Sequence, residues 1–260
     1  MKGAIIGDII GSAYEFKNIS TKDFPLFSDN SVFTDDTVMT CAVAKALMEP
    51  ERKISVVFQE VARKYPGAGY GRKFYDWVFS DDPQPYNSCG NGSAMRVSPA
   101  GFMFNSRVDV VDAAQNVTVV THNHPEGMKG AECTAYCIFL ARCGFSMDDM
   151  KDEVKRFYTL DKTCDDYRRE TAGMHGKEIC QISVPQALEC FFESTSFEDC
   201  MRNCISIGGD SDTIAAIAGG IAEAYYGVPD ELWQEAEKRL DPYLLEIVND
   251  FYGCLSLTDT

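Results

Sequence analysis

Several residue types that build common functional sites are scarce in this chain of 260 residues. It contains only three histidines, and its eleven cysteines never occur in a C-x-x-C spacing. Zinc sites and disulfide frameworks usually show regular cysteine spacing, so neither is expected. Cys133/Cys137 and Cys200/Cys204 are four residues apart in helix-like segments, which favours reduced thiols that pack in a core as small apolar side chains.

Positive charge and long apolar runs are also lacking. Lys and Arg number 24 against 40 Asp and Glu, which gives a formal charge of -16. Such a surface repels nucleic acid and anionic membranes, so neither is expected as a partner. No apolar run approaches the roughly 18 residues of a membrane span, and no signal-peptide pattern opens the sequence. We therefore expect a cytoplasmic protein, compatible with a monomer, that forms one domain over residues 1–260.

What the chain does contain is helical periodicity. Segments 34–48, 131–142 and 185–193 are rich in helix formers, and the last begins with Pro185, a residue suited to a first helical position. In segment 213–226 the apolar residues recur at helical spacing before a Gly-Val-Pro stop. Strand alternation is scarce. The sequence therefore predicts an all-α fold.

Irregular segments rich in Gly, Pro and Asn separate these helices. Three of them, at 65–71, 81–93 and 121–127, are long for simple connections. Loops of this kind tend to line sites, and Tyr65, Tyr70 and Tyr86 within them are candidates for stacking on a base. A polar, charged stretch at 147–183 is expected to project from the main body.

Two acidic motifs stand where helices are expected to begin, TDDT at 34–37 and GGDSDT at 208–213. Asp and Thr are ordinary N-caps in such positions. A cap needs one side chain, however, whereas each motif offers two carboxylates and at least one hydroxyl. Crowded carboxylates repel unless a proton or cation neutralises them, and oxygen ligands favour Mg²⁺ or Mn²⁺. The motifs together predict a cation site, and the double glycine before Asp210 permits unusual backbone angles there.

A third motif is the N-terminal segment 7–16 (GDIIGSAYEF), in which Glu15 follows a helix-like run and stands between two aromatic residues. Partial desolvation there would raise the pKa of Glu15 to a value useful for proton transfer. A surface glutamate beside two aromatic residues explains the same pattern equally well.

The fourth motif is the segment 87–96 (NSCGNGSAMR), whose glycines can present backbone N–H groups to phosphate oxygens, with Arg96 nearby as a cation. Most Gly-Asn-Gly strings are simple turns. His122 and His124 in the segment 121–127 can bind a metal or a substrate, although a hydrogen-bonded loop histidine is the commoner case.

In this order, the four motifs resemble the ADP-ribosylglycohydrolase family, which includes the dinitrogenase-reductase-activating glycohydrolases and the ADP-ribosyl-acceptor hydrolases. The resemblance runs from Gly3 to about Gly227. It implies a compact orthogonal bundle of α-helices and a substrate that is an ADP-ribosylated protein or a small ADP-ribose conjugate. It also implies two Mg²⁺ or Mn²⁺ ions whose ligands are Thr34, Asp35, Asp36, Asp210, Asp212 and Thr213.

The resemblance also assigns roles to the other motifs. Glu15 is implied to lie beside the metals and the scissile ribose, which makes Glu15, Asp35 and Asp36 the catalytic candidates for moving a proton as C1 becomes oxocarbenium-like. The implied substrate-binding residues are Ser88, Gly90, Asn91, Gly92, Ser93, His122 and Gly127.

Several functions remain in competition at the level of sequence. ADP-ribosyl-arginine is the favoured substrate because the resemblance leans toward the reductase-activating branch. ADP-ribosyl-serine and O-acetyl-ADP-ribose are the alternatives within the family. A metal-dependent phosphohydrolase acting on nucleotides would use the same carboxylates, and a non-catalytic ADP-ribose-binding relative would keep the fold without turnover.

Overall fold

The computed structural model describes residues 1–171 and 177–258, and these residues form helices but no β-strand. The helices in chain order are α1 (Lys2–Ser12), α2 (Asp35–Met48), α3 (Ile54–Ala62), α4 (Arg72–Val78), α5 (Gly92–Met95), α6 (Ser98–Met103), α7 (Arg107–Val119), α8 (Pro125–Arg142), α9 (Met147–Val154), α10 (Cys164–Thr171), α11 (Cys180–Phe192), α12 (Phe197–Ser206), α13 (Ser211–Tyr226), α14 (Asp230–Glu237) and α15 (Pro242–Thr258). The predicted all-α fold is confirmed.

Helices α1 and α13 pack against each other along most of their length. Glycines four residues apart on α1 allow this approach. A Cβ atom at Gly3 would lie 2.1 Å from the carbonyl oxygen of Gly219, and one at Gly7 would lie 2.1 Å from that of Ala215. The backbones therefore touch directly, and the sequence pattern G-x-x-x-G-x-x-x-G at the start of the chain is a packing surface.

The same contact brings one end of α1 and one end of α13 together. A Cβ atom at Gly11 would lie 2.3 Å from the Cα atom of Asp212, so the C-terminal end of α1 meets the N-terminal end of α13. Around this pair, α13 also contacts α8, α11 and α12, while α2 packs on α1, α3 and α15. The N-terminal ends of α2 and α13 therefore meet beside the end of α1.

Most of the predicted helices begin or end close to the expected residues, with one clear error. The helix expected at 34–48 is α2, and the one expected at 213–226 is α13. The prediction that a helix begins at Pro185 is wrong, because α11 begins at Cys180 and contains Pro185. Pro185 lies in the second turn of α11, where it has no N–H to donate to the carbonyl oxygen of Gln181, and the helix continues past it to Phe192.

The cysteines are free thiols throughout the described residues, and the four that the sequence places on helical faces are buried. Only Cys143 and Cys254 are exposed, with Cys89 partly so. The expectation of a reduced core is therefore met for Cys133, Cys137, Cys200 and Cys204. None of the described helices is long and apolar enough to cross a membrane.

Candidate active site and metal centre

A cavity of about 620 Å³ opens where the ends of α1, α2 and α13 meet. The loop before α4, the loop before α5 and the segment between α7 and α8 complete its wall. Residues from all four sequence motifs line it. They are Glu15, Thr34, Asp35, Asp36, Ser88, Gly90, Asn91, Gly92, His122, Asp210, Asp212 and Thr213.

Asp8 fixes the position of α2 within this cavity. It is fully buried on α1, and its carboxylate accepts hydrogen bonds from the backbone N–H and the hydroxyl of both Thr34 and Thr37. The Thr34 hydroxyl also caps α2 by accepting from the N–H of Asp36. Asp8 therefore holds the first turn of α2 and, with it, the two aspartates of the TDDT motif.

The acidic side chains converge in two overlapping groups. Carboxylate oxygens of Glu15, Asp210 and Asp212 lie within 4.8 Å of one another, and so do those of Asp8, Asp36 and Asp212. Asp212 is common to both groups. Because Asp8 already accepts four hydrogen bonds, we assign it to positioning rather than to ion binding.

Burial and mutual repulsion disfavour the ionised form of these carboxyl groups. Burial, followed by the neighbouring aspartates, raises the pKa of Asp36 and of Asp212 well above the ordinary range. The same two causes raise the pKa of Asp35 to about 8. Half-buried Glu15 has a pKa of about 7, because of burial first and then the charges of Asp210 and Glu178.

The donor atoms suit a hard cation. They are all oxygens, and Oδ1 of Asp36 is buried without a hydrogen-bond partner, while Oδ2 accepts from the hydroxyl of Thr213 at 3.2 Å. A buried carboxylate oxygen that lacks a partner costs free energy unless a cation or proton satisfies it. The residues could therefore hold a metal ion that prefers oxygen ligands.

Backbone geometry at the second acidic motif agrees with the expectation from its double glycine. Gly208 and Gly209 have φ values of 69° and 79°, a region that side chains with a Cβ rarely adopt. The N–H of Gly209 donates to the amide oxygen of Asn18, which in turn donates from its side chain to the carbonyl of Gly209. This turn aims Asp210 and Asp212 at the cavity.

The loop before α5 lines the cavity and also holds a neighbouring acidic residue in place. Gly90 and Gly92 line the cavity, and Ser88 stabilises the turn by accepting a hydrogen bond from the N–H of Gly90. The amide of Asn91, however, donates to Asp210 and to the hydroxyl of Ser183. The side chain of Asn91 therefore holds an acidic residue of the site as well as lining the cavity.

Two of the residues expected to bind substrate do not line the cavity. Ser93 is fully buried, and its hydroxyl donates to the carbonyl oxygen of Gly127 at 2.8 Å. A Cβ atom at Gly127 would lie 2.6 Å from the carbonyl oxygen of Ser88. Ser93 and Gly127 thus join the loop to the start of α8 behind the cavity wall, and their predicted role in binding substrate stays a prediction.

The histidines and Arg96 lie in different places relative to the cavity. His122 lies in the cavity wall, whereas His124 caps α8 by accepting from the N–H of Glu126. His175 lies outside the described residues. Arg96, expected near the loop as a cation, lies in the cavity wall, but its guanidinium is buried and donates to the carbonyl oxygen of Val117 and the hydroxyl of Thr121.

Of the three tyrosines expected to stack on a base, one lines the cavity. Tyr86 lines it, but Tyr65 packs edge-on against Phe33, and the Tyr70 hydroxyl donates to the carbonyl oxygen of Ala62. Phe33 and the exposed Phe16 line the cavity instead. Sequence reasoning missed Phe33 although it directly precedes the TDDT motif.

Asp8 and Glu178 were also not identified from the sequence. For Asp8 the missed role is structural. A signal was present, since a carboxylate surrounded by isoleucines in an apolar helix must find buried hydrogen-bond donors.

Comparison with known proteins gives a consistent result across the whole chain. The ADP-ribosylglycohydrolase family profile matches residues 1–258. ADP-ribosylhydrolase ARH3 of Mus musculus is 27% identical over 316 residues, which cover 91% of this chain and 85% of that protein. ADP-ribosyl-[dinitrogen reductase] glycohydrolase of Rhodospirillum rubrum is 28% identical over 257 residues, with coverage of 88% and 84%.

A solved structure gives the same result for the fold. It is described as an ADP-ribosylglycohydrolase-related protein complex, and it aligns with 98% of this chain and 95% of its own with a TM-score of 0.70 at 23% identity. This likeness concerns the arrangement of helices.

Proposed function

This chain belongs to the ADP-ribosylglycohydrolase family, and on that premise we propose that it uses two Mg²⁺ or Mn²⁺ ions to release ADP-ribose from ADP-ribosylated arginine. Membership makes it a glycosyl hydrolase that acts on an ADP-ribose conjugate. Our proposal goes beyond membership in three respects: the number of ions, their identity and the nature of the acceptor.

The observation that carries the proposal is the convergence of acidic residues from three distant segments on one cavity. Glu15 follows α1, Asp36 lies in the first turn of α2, Asp210 directly precedes α13, and Asp212 lies in the first turn of α13. Four carboxylates at this density are not needed to cap two helices. They are expected where a site must hold divalent cations.

Two overlapping groups of carboxylates support a pair of ions. Asp36, Asp210 and Asp212 would hold them, with Asp212 shared, the hydroxyl of Thr213 adjacent, and Glu15 beside the pair formed by Asp210 and Asp212. When bound, the ions would supply a Lewis acid that polarises substrate oxygens and lowers the pKa of water. The positive charge of the ions would also reduce the electrostatic repulsion between this acidic protein and an anionic substrate.

Glu15 is the residue that we assign to proton transfer. It is half-buried at the cavity edge, and its pKa of about 7 lies close to neutral pH, where a carboxyl group both accepts and returns a proton efficiently. Asp35 also lines the cavity with a raised pKa. Asp36 is better suited to ion binding, because it is buried and Oδ1 lacks a partner.

An arginine acceptor is supported by acidic residues of the cavity wall, which Arg72 and Lys73 also line. Glu178 lines the cavity close enough to Glu15 to raise its pKa, and its backbone carbonyl accepts from the N–H of Asn91. Asp35 lines the same wall. A cationic guanidinium fits the Glu178 carboxylate better than a neutral serine hydroxyl or an acetyl ester does.

The experiment compares three substrates at one Mg²⁺ concentration, with free ADP-ribose measured by mass spectrometry. We expect the highest kcat/KM for ADP-ribosyl-arginine, and Glu178→Gln should reduce the preference for arginine over serine. Faster hydrolysis of ADP-ribosyl-serine or O-acetyl-ADP-ribose would contradict the acceptor assignment. Release of AMP or inorganic phosphate would instead identify a phosphohydrolase, and tight ADP-ribose binding without turnover would identify a binding protein.

A further inference from the structure

A chain of three buried polar residues leads from the core to the cavity wall. Arg96, Thr121 and His122 are 1%, 0% and 5% exposed. Nη2 of Arg96 donates to Oγ1 of Thr121 at 2.8 Å, and Oγ1 of Thr121 lies 2.7 Å from Nδ1 of His122. Each contact has the length of a good hydrogen bond.

The proton positions in this chain follow from the donor that begins it. A guanidinium has donors only, so Oγ1 of Thr121 must accept from Arg96. The single hydroxyl proton of Thr121 then has Nδ1 of His122 as its acceptor, and no other acceptor contacts it in the described part of the chain. Nδ1 is therefore unprotonated, and in a neutral imidazole the proton must reside on Nε2.

Arg96 is enclosed by aromatic rings and a backbone carbonyl, and its Nε is buried without a hydrogen-bond partner. Its guanidinium lies 4.9 Å from the ring centroid of Phe58 and 5.8 Å from that of Phe74, and Nη2 also donates to the carbonyl of Val117. Burial lowers its pKa to about 10, so it remains a cation at neutral pH. Its hydrogen bonds in the described part of the chain go to a carbonyl oxygen and a hydroxyl rather than to a carboxylate.

The charge of Arg96 also acts on the imidazole. Burial, and secondly this positive charge, hold the pKa of His122 well below its usual range. A neutral imidazole agrees with the hydrogen-bond direction deduced from Thr121.

Three glycines fix the ring that receives this hydrogen bond. Cβ atoms at Gly90 and Gly92 would lie 3.5 Å and 3.3 Å from Nε2 of His122, and one at Gly127 would lie 3.1 Å from its Cβ atom. The imidazole therefore fills the space that these glycines leave. His122 lines the cavity, and among the described residues the hydrogen bond of its ring is made by Nδ1, which leaves Nε2 available to a ligand.

We propose that Arg96 and Thr121 are positioning residues that fix His122 in its Nε2–H form, so that it donates a hydrogen bond to an oxygen of the substrate and takes no part in proton transfer. The inference rests on the proposed function for the identity of that substrate. A permanent donor beside the glycine loop suits an anionic diphosphate oxygen, and acid–base chemistry is left to the carboxylates.

Long-range ¹H–¹⁵N NMR of the histidine side chains tests the tautomer directly, without turnover. We expect His122 to carry its proton on Nε2 at neutral pH in the parent protein, and Thr121→Ser to keep this signature. Thr121→Val, which removes the hydroxyl at constant volume, should shift the imidazole to a mixture of tautomers. An Nδ1–H tautomer or an imidazolium in the parent would overturn the proposal, whatever its activity.

A binding measurement supplies the second readout and a matched control. Calorimetry should show ADP-ribose binding weakened about 10-fold in Thr121→Val, as expected for one hydrogen bond to a charged group, and close to normal in Thr121→Ser. Thr118→Val is the control, because the Thr118 hydroxyl is buried without a partner three residues away. Equal affinities for Thr121→Val and the parent would contradict the proposal. Failure of ADP-ribose release alone would contradict only the proposed function.

Discussion

Asp8 shows how one residue organises the site without facing the substrate. Its carboxylate is fully buried in α1 and accepts four hydrogen bonds from the first turn of α2. Burial raises its pKa to about 6 although those hydrogen bonds oppose the rise. The position of Asp36, and hence the spacing of the carboxylates, depends on this contact.

We predict that Asp8→Asn weakens Mg²⁺ binding by about 10–100-fold, the usual effect of losing a residue that orients a metal ligand. The amide replaces one acceptor oxygen with a donor that faces the N–H and hydroxyl groups of Thr34 and Thr37. Titration calorimetry measures the change, with exposed Asp29→Asn as the control. Unchanged affinity in Asp8→Asn would show that α2 is positioned by other contacts.

At this scale the sequence was a good guide to the residue types near the cavity and a poor one to their individual partners. TDDT and GGDSDT stood out because their charge density exceeds what a cap requires. Nothing local in the sequence shows that Asn91 holds Asp210, or that Ser93 turns toward Gly127, since both contacts join segments more than 30 residues apart.

At the scale of elements, the close packing of α1 on α13 determines where the acidic residues meet. The glycine face of α1 brings its backbone against Ala215 and Gly219. Periodicity predicted α13 well because its apolar residues recur regularly. It failed at the start of α11, where Pro185 in the second turn looks like a first helical residue, and it could not show which helices touch.

We predict that Gly7→Ala destabilises the protein by at least about 3 kcal/mol, at the upper end for an overpacked core. The added Cβ atom would lie 2.1 Å from the carbonyl oxygen of Ala215, and both atoms belong to rigid helices. Gly253→Ala is the control, because it lies in α15 with nothing within 4 Å and should gain up to about 1 kcal/mol. Equal denaturant midpoints for the two variants would contradict the backbone contact.

At the scale of the whole molecule, several carboxyl groups are buried together, and burial is where the ionised form costs the most free energy. The chain has a formal charge of -16, and several of its carboxylates are buried together at the cavity. In the folded protein Asp8, Glu15 and Asp35 have pKa values of about 6, 7 and 8. The same groups in the unfolded chain titrate near pH 4, so the folded state binds more protons between these values.

It follows that the metal-free protein loses stability as pH rises from about 4 to 8. We predict that its Tm falls between pH 5 and pH 8, and that Mg²⁺ raises the Tm more at pH 8, where ionised carboxylates favour the cation. Differential scanning fluorimetry with EDTA or Mg²⁺ measures both effects. Asp36→Asn should show a smaller fall. A Tm that rises with pH in the EDTA sample would contradict the assignment of raised pKa values.

The central claim is that the acidic cavity is a metal-dependent glycohydrolase site, and one assay tests it most directly. ADP-ribosyl-arginine is incubated with the parent protein and with Asp36→Asn, each in Mg²⁺ or EDTA, and free ADP-ribose is quantified by mass spectrometry. We predict release by the parent in Mg²⁺ alone and at least a 100-fold slower rate in Asp36→Asn, about 2.7 kcal/mol of lost transition-state stabilisation. Equal release in EDTA, or by Asp36→Asn in Mg²⁺, would contradict the account.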